Sequence, residues 1–474
     1  MTARPPDCDV VIIGGGPGGL STALGLTRAV KDIRVKVLER AKQYRPMGAG
    51  IGIDVNGMKA IEAIDPSLRK WFNAEGLSLS SSVINDHKGN FIREDKNDTE
   101  KTKRKYGISP TLMGWYEIQQ AFYRLLPAGT VTFDSRFQKY EETEDGVEVS
   151  YTEAGEPKHL RCKLLVGADG YFSAVRQQCL HDGPPDFAGT VFWRARLKVD
   201  KVHEKPQWFF GDEKLGLILP ISKDHMVWTC AAPAKLLEAA GVKFDPSNGG
   251  AFRASTQAVS DSPENALDRC MVLFKDHPEV LVSLMRQTDP STVAEHGIFT
   301  RSPESYPEQR WGKGHVTLIG DAAHPVRPTG QGLNMTMEDA AELAWHVQQY
   351  GFTADALERF EAKRIPRVTK ILDHAKRQGE AAYNKEGKDA TANNRALALA
   401  DEWQEFKDGV TFQPLRPEDE RNSAFIEKAD IPSAGLATQD SSKMNGLDVK
   451  KAALLCGAVA ATALAALAMH ARRT

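Results

Sequence analysis

Residues 8–40 read CDVVIIGGGPGGLSTALGLTRAVKDIRVKVLER, and the order of residue types in this stretch decides the fold. Val10, Val11, Ile12 and Ile13 form a short apolar run, the pattern of a buried parallel strand. Gly14, Gly16 and Gly19 follow as G-x-G-x-x-G, and a helical pattern runs from Leu20 to about Val30. A second strand, Val35–Leu38, closes at Glu39. Gly14 permits the tight turn, Gly16 lets backbone approach a pyrophosphate, and Gly19 lets the helix pack closely on the strand. The helix N-terminus offers free N–H groups and the positive end of its dipole to phosphate. Glu39 can accept hydrogen bonds from a ribose diol. Strand, glycines, helix, strand and acid in this order predict a dinucleotide-binding α/β unit.

Outward from this unit, Arg40 opens the segment Arg40–Ile53, in which Gly48, Gly50 and Gly52 alternate with other residues. Such a segment either is an ordinary loop or passes close to a flat group. Beside a dinucleotide fold it predicts that Arg40, Gly50 and Ile51 line the cofactor. A helix is expected over Asn56–Ile64. The mixed-charge run Arg93–Lys105 reads as a solvated loop or edge without a function of its own. Glu117–Leu126 reads as a helix, and Val131–Tyr151 as two strands about an Asp145-Gly146 turn. The apolar strand at Leu164–Val166 runs into Gly167-Ala168-Asp169-Gly170, with a helix starting near Ser173. Asp169 stands where ligands bind in parallel sheets, and it could equally cap that helix.

From about Gly183 to Ala294, aromatic and β-branched strands appear at Val191–Leu197, Gln207–Phe210, Leu215–Leu219 and Met226–Cys230. They predict an antiparallel sheet inserted as a second domain, followed by helices near Pro263–Lys275 and Val280–Gln287. The first fold resumes at Val316–Ile319, which leads into Gly320-Asp321, Pro325 and the run Gly330-Gln331-Gly332-Leu333-Asn334. Helices over Glu338–Tyr350 and Asp355–Ala382 follow. The expected division is a dinucleotide-binding part from 1–72, 105–182 and 295–385, and a substrate part from 73–104 and 183–294. A polar extension spans 386–450, and a membrane helix spans 451–470.

The chain has 474 residues, 61 basic and 63 acidic, a balance that argues against a nucleic-acid-binding protein. Its six cysteines, Cys8, Cys162, Cys179, Cys230, Cys270 and Cys456, form no C-x-x-C pair, so reduced thiols are expected and no metal site. Residues 1–9 hold no apolar core of a secretory signal. At the other end, Lys450-Lys451 precede the apolar run Ala452–Met469, which Arg472 and Arg473 follow. That length is near the minimum for a membrane span, and the polar stretch before it reads as a linker. The expectation is a catalytic domain facing the cytosol and anchored by its C-terminus.

Taken together, these motifs resemble the group A flavoprotein monooxygenases, the para-hydroxybenzoate hydroxylase superfamily, in its salicylate-hydroxylase and zeaxanthin-epoxidase-like branch. Three fingerprints match in order: Gly14–Gly19 with Glu39, the Asp169-Gly170 motif, and Gly320–Asn334. Arg45–Gly52 and the helix bearing Arg364 and Arg367 are also typical. The resemblance covers about Asp9–Tyr383. It implies FAD, with Gly14–Gly19 at the pyrophosphate, Glu39 on the adenosine ribose and Asp321 near the ribityl chain. Pro325 is expected beside the isoalloxazine ring, with the turn Gly330–Asn334 at its N1/O2 edge. Asp169 is implicated in linking FAD and nicotinamide binding. One departure stands out: the family Arg before the Glu117 helix corresponds here to Trp115, so either a nearby Arg such as Arg124 or Arg45 replaces it or the electrostatics around the flavin differ.

The implied reaction is hydride transfer from NAD(P)H to FAD, O₂ addition to give a flavin hydroperoxide, and transfer of one oxygen to a small apolar aromatic or isoprenoid substrate. By resemblance Arg194 points toward the substrate, while His225 and His324 are weaker candidates for a base. Two alternatives remain at this stage: an FAD-dependent reductase of an isoprenoid without oxygen transfer, and a non-catalytic carrier on the same fold.

Overall fold

The computed structural model describes residues 5–46, 49–78, 81–96, 99–242, 244, 265–302, 309–326, 330–383 and 403–415. The apolar runs read from the sequence form one five-stranded parallel sheet. Its order is Val316–Leu318, Leu164–Gly167, Val10–Ile13, Val35–Leu38 and Val131–Thr132. Val10, Val11 and Ile12 are wholly buried, because helices cover both faces of such a sheet. The first helix, Pro17–Ala29, begins earlier than its apolar periodicity suggests. Pro17 at its first turn lacks only an N–H that would have no intrahelical partner there. It packs against Gly332–Tyr350 closely enough that a Cβ on Gly25 would lie 3.1 Å from that of Ala344.

The second sheet has seven strands, ordered Ala294–Thr300, Asp186–Lys198, His225–Pro233, Lys214–Pro220, Gln207–Gly211, Ser81–Asp86 and Phe91–Lys96. Its pairings are antiparallel except that of Gln207–Gly211 with Ser81–Asp86. The sheet is therefore mixed rather than purely antiparallel. Strand alternation divides its side chains between two faces. Val191, Trp193, Ala195, Phe209 and Trp228 point into a core with Phe274, Leu281 and Met285 of the helices Ala266–Phe274 and Glu279–Gln287. Phe192, Arg194 and Trp208 point the other way, toward the first sheet.

Three expectations are corrected. The run Arg93–Lys105 is not a plain loop: its start belongs to the edge strand Phe91–Lys96, and Thr99–Tyr106 is helical. The hairpin after Ser135 gains a third strand, giving Ser135–Thr143, Gly146–Glu153 and Glu156–Cys162. Residues 403–415, read as part of a polar extension, dock on the dinucleotide-binding part and bury Lys407 to 1% exposure. The expected membrane helix, 451–470, lies outside the described residues. Among the described residues no helix is long and apolar enough to cross a membrane. Cys8, Cys162, Cys179, Cys230 and Cys270 are free thiols.

Candidate cofactor and substrate cleft

A cleft of about 960 Å³ runs from the carboxyl end of the parallel sheet to the open face of the seven-stranded sheet. Gly14, Gly16, Glu39, Arg40, Gly50, Ile51, Asp169, Arg194, Gly320, Asp321, Gly330, Gly332 and Leu333 line it. Gly19, Pro325, Gln331 and Asn334 are not on its wall.

The three glycines act differently. Gly14 has a left-handed φ of +106°, which a side chain would strain, and its Cβ would meet the Ala168 carbonyl oxygen at 2.5 Å. A Cβ on Gly19 would lie 1.9 Å from the Gly14 carbonyl oxygen, so only glycine lets this helix sit on its strand. At Gly16 a Cβ would meet nothing within 4 Å. Gly16 is the N-cap of the first helix and no side chain caps that end. Its free N–H groups thus border open space in the cleft, a cradle suited to a pyrophosphate.

Glu39, at the end of the second strand, borders the same part of the cleft. Its Oε2 accepts from the Gly15 N–H at 2.7 Å and its Oε1 from the Ala41 N–H at 2.7 Å. Each oxygen keeps a lone pair for a diol. Two buried cleft atoms, Gln119 Oε1 and Asp169 Oδ1, have no hydrogen-bond partner among the described residues. Orphaned acceptors of this kind fit a ligand that brings donors. Asp169 also does its other expected work, since its Oδ2 accepts from the Ala174 N–H at 2.7 Å. The cradle, the carboxylate and the orphaned acceptors together fit FAD.

Asp321 faces the cleft and has no hydrogen-bond partner among the described residues. Burial raises its pKa to about 6, while His324 and Arg194 pull it down. Its backbone is held from behind: Asp339 Oδ2 accepts from the Gly320 N–H at 3.0 Å and lies 2.6 Å from His324 Nε2. Arg364 donates to Asp339 at 2.8 Å and to Glu338 at 2.6 Å, and Arg367 donates to Glu338 at 2.6 Å. His324 therefore braces the motif rather than facing a substrate, and His225 sits against Asp224 (2.7 Å), off the cleft. Gln331 and Asn334 also work from behind. Asn334 Nδ2 donates to the Gly330 carbonyl at 2.7 Å and its Oδ1 accepts from the Asp54 N–H at 2.8 Å.

The end of the cleft under the seven-stranded sheet was less legible. His296 pairs across strands with Phe192, and its Nε2 lies 2.6 Å from Arg194 Nη2. His296 Nδ1 is 3.1 Å from the Gly297 carbonyl oxygen, which makes Nδ1 the donor and Nε2 the acceptor from Arg194. Burial, then the Arg194 charge, lowers the His296 pKa to about 3, so the ring is neutral. Burial lowers Arg194 to about 10, with Tyr171 and Asp321 acting in its favour. The sequence reading missed His296 because it ended the inserted part at Ala294, the first residue of this strand. Gln119, which donates to the Gly15 carbonyl at 2.9 Å, had no motif to reveal it. Trp115 does line the cleft. Arg45 and Arg136 line it too, while Arg124 is exposed and off it.

Residues 7–236 and 288–375 match the family model described as FAD binding domain. The chain is similar to the phenazine 1,6-dicarboxylic acid hydroxylase PhzS of Lysobacter antibioticus, 30% identical over 382 residues, covering 77% of this chain and 88% of that one. It is 27% identical to the aurachin C monooxygenase/isomerase of Stigmatella aurantiaca over 78% of this chain and 88% of that one. Among solved structures, Klebsiella pneumoniae HpxO complexed with FAD and uric acid shares the fold. Its TM-score is 0.63 at 24% identity, covering 85% of this chain and 93% of that one. FAD is the cofactor that the cradle and the family share, NAD(P)H is the reductant typical of such enzymes, and the chain belongs to the group A FAD-dependent monooxygenases of the para-hydroxybenzoate hydroxylase superfamily.

Proposed function

We propose that this monooxygenase hydroxylates a planar aromatic molecule that carries a carboxylate or an ionisable oxygen. The observation that supports this reading is the Arg194–His296 pair on the cleft face of the seven-stranded sheet, a face that also carries Phe192 and, further across, Trp208. A desolvated guanidinium has few uses beside a purely apolar isoprenoid, where its charge would lie against hydrocarbon. Beside an aromatic acid it offers a charge-assisted hydrogen bond while the aromatic walls take the ring. One of the relatives above is named for an acidic aromatic, phenazine 1,6-dicarboxylic acid, which agrees.

FAD, when bound, supplies the exchange of electrons between NAD(P)H and O₂. In balance, substrate C–H, O₂, NAD(P)H and a proton give substrate C–OH, water and NAD(P)⁺. The chain's own residues do the rest. Arg194 holds the anionic substituent, and neutral His296 fixes the guanidinium without adding a competing charge. The seven-stranded sheet roofs the ring and excludes water.

The test is oxygen incorporation from ¹⁸O₂ with a panel of aromatic acids, phenols and isoprenoids, using NADH and NADPH in parallel. Incorporation into an aromatic acid that collapses in Arg194→Met supports the proposal. Incorporation only into an isoprenoid, or reduction without oxygen transfer, overturns it. The apolar run Ala452–Met469 further supports membrane association with the catalytic part facing the cytosol. Carbonate-resistant pelleting of the full chain, lost on deleting 450–474, is the expected result.

A further inference from the structure

Asp54 stands at the N-cap of the helix Val55–Ile64, yet its side chain makes no capping bond. Aspartate at that position normally accepts from the first free N–H groups of its helix. Here the carboxylate is diverted. Its Oδ2 accepts from Gln331 Nε2 at 3.0 Å and from Lys407 Nζ at 2.5 Å. Asp54 and Lys407 are each 1% exposed. Lys407 reaches this depth because the chain around it is clamped. Arg367 donates to the Phe406 and Lys407 carbonyls at 3.1 and 2.9 Å, and Lys59 donates to the Asp408 and Val410 carbonyls at 2.5 and 3.0 Å.

The position of Asp54 gives the pair its meaning. It directly follows Gly50–Ile53, whose Gly50, Ile51 and Gly52 form one wall of the cleft. Through Gln331 and Asn334 it is bonded to the turn whose Gly330, Gly332 and Leu333 form another. Asp54 thus staples two cofactor-facing walls together from behind, and its charge is buried there. An uncompensated buried carboxylate would draw water or protons into the joint and loosen it.

We propose that residues 403–415 form a strap that completes the FAD site from behind, with Lys407 as a positioning residue. Its ammonium neutralises Asp54 and thereby holds the Gly50–Gly52 and Gly330–Leu333 walls at the spacing the flavin requires. Lys407 touches no part of the cleft, so its effect on the cofactor is transmitted through Asp54 and Gln331.

The test measures FAD affinity of the deflavinated full chain by fluorescence titration, the visible spectrum of the bound flavin, and the thermal melt of the apoprotein. Lys407→Met is expected to weaken FAD binding by roughly tenfold or more and to shift the flavin absorption bands, because it strands the Asp54 charge. Lys407 Nζ also lies 3.5 Å from Asp408 Oδ1, and Asp408 is wholly buried, so the neutral control is Asp54→Asn/Lys407→Met/Asp408→Asn. It removes the ammonium together with both carboxylates beside it and keeps polar groups for Gln331 and Gln404. It is expected to return FAD affinity to within about threefold of wild type. Wild-type affinity and spectrum in Lys407→Met would overturn the proposal. So would a triple variant that binds FAD no better than the single one. Failure of both variants to fold would overturn it as well, by making the cluster a requirement of the fold rather than of the cofactor site. If only the single variant fails to fold, the triple variant carries the test, and weak FAD binding by a well-folded triple variant overturns it.

Discussion

Asp321 illustrates how a site residue works against the fold that carries it. Its carboxyl lies in a part of the cleft where burial raises the folded pKa to about 6 from an ordinary 3.8. Between about pH 4 and pH 6 the folded chain therefore holds a proton that the unfolded chain releases. That contribution to stability is complete below about pH 4 and is lost as pH rises through about 6, so at neutral pH the ionised group is a liability to the apoprotein. Asp321→Asn is expected to melt above wild type at about pH 7.5, with the gap narrowing as pH falls toward 5. His296 acts in the opposite direction, because its lowered pKa of about 3 makes acid destabilising, but it is common to both proteins and cancels in the difference. The same substitution is expected to weaken FAD binding by about tenfold, the value of a hydrogen bond to a charged acceptor. Parallel melting curves across pH would refute the assignment of the shift to Asp321. The motif around Gly320-Asp321 was visible in the sequence because it is local. The neutral state of His296 was not, because it depends on Arg194, a hundred residues away in the chain.

At the scale of the element, the first helix and its glycine turn were almost wholly legible. Short-range rules govern a tight turn, a helix N-terminus and a close helix–strand contact, and all three are written within ten residues. The geometry separates roles that the motif alone merges. Gly16 has an ordinary φ of −71° and open space where a Cβ would go. Gly16→Ala is expected to leave apoprotein stability within about 0.5 kcal/mol of wild type, while its methyl intrudes on the pyrophosphate and weakens FAD binding. Gly19→Ala would drive a Cβ to 1.9 Å from a backbone oxygen that cannot swing away. A loss of at least about 3 kcal/mol, or no folded protein, is expected there. Urea unfolding of the two apoproteins, with FAD titration of the first, distinguishes the roles. Equal stability losses would show that both glycines serve packing alone. The less legible element is Arg93–Lys105. Its charge pattern resembles a solvated loop, yet Phe91–Lys96 gains strand structure by pairing with Ser81–Asp86 at the edge of the sheet. Such a partner is set by tertiary context, which overrides local composition.

At the scale of the molecule, the described residues build two large cores and a small third cluster around Ile84, Trp208, Phe210 and Leu217, and the cleft opens between the two sheets. The strand Ser81–Asp86 pairs with Gln207–Gly211, so the substrate sheet is assembled from segments that the cofactor sheet interrupts. Hydrophobic periodicity tells each strand which way to face, but not which distant strand it will meet, so the order of the seven strands was not available from the sequence. What ties the cores together is partly electrostatic. Glu117 lies on the helix Trp115–Leu125, whose Ile118, Ala121 and Phe122 belong to the first core. Arg196 lies on the strand Asp186–Lys198, whose Val191, Trp193 and Ala195 belong to the second. Their side chains are 11% and 15% exposed and form an ion pair across the junction. Arg196 Nη1 donates to Glu117 Oε1, and Glu117 Oε2 has no hydrogen-bond partner among the described residues. Arg196→Met strands that carboxylate and is expected to cost about 3 kcal/mol in urea unfolding. Glu117→Gln/Arg196→Met removes the buried charge altogether and is expected to recover most of the loss, since a neutral pair needs no compensating cation. Arg194 lines the cleft two residues from Arg196 on the same strand, so the single variant should consume NAD(P)H with less oxygen reaching the substrate. The double variant should restore that coupling only if neutrality, rather than the ion pair itself, holds the two sheets in register. A single variant as stable and as tightly coupled as wild type would mean that packing alone joins the cores.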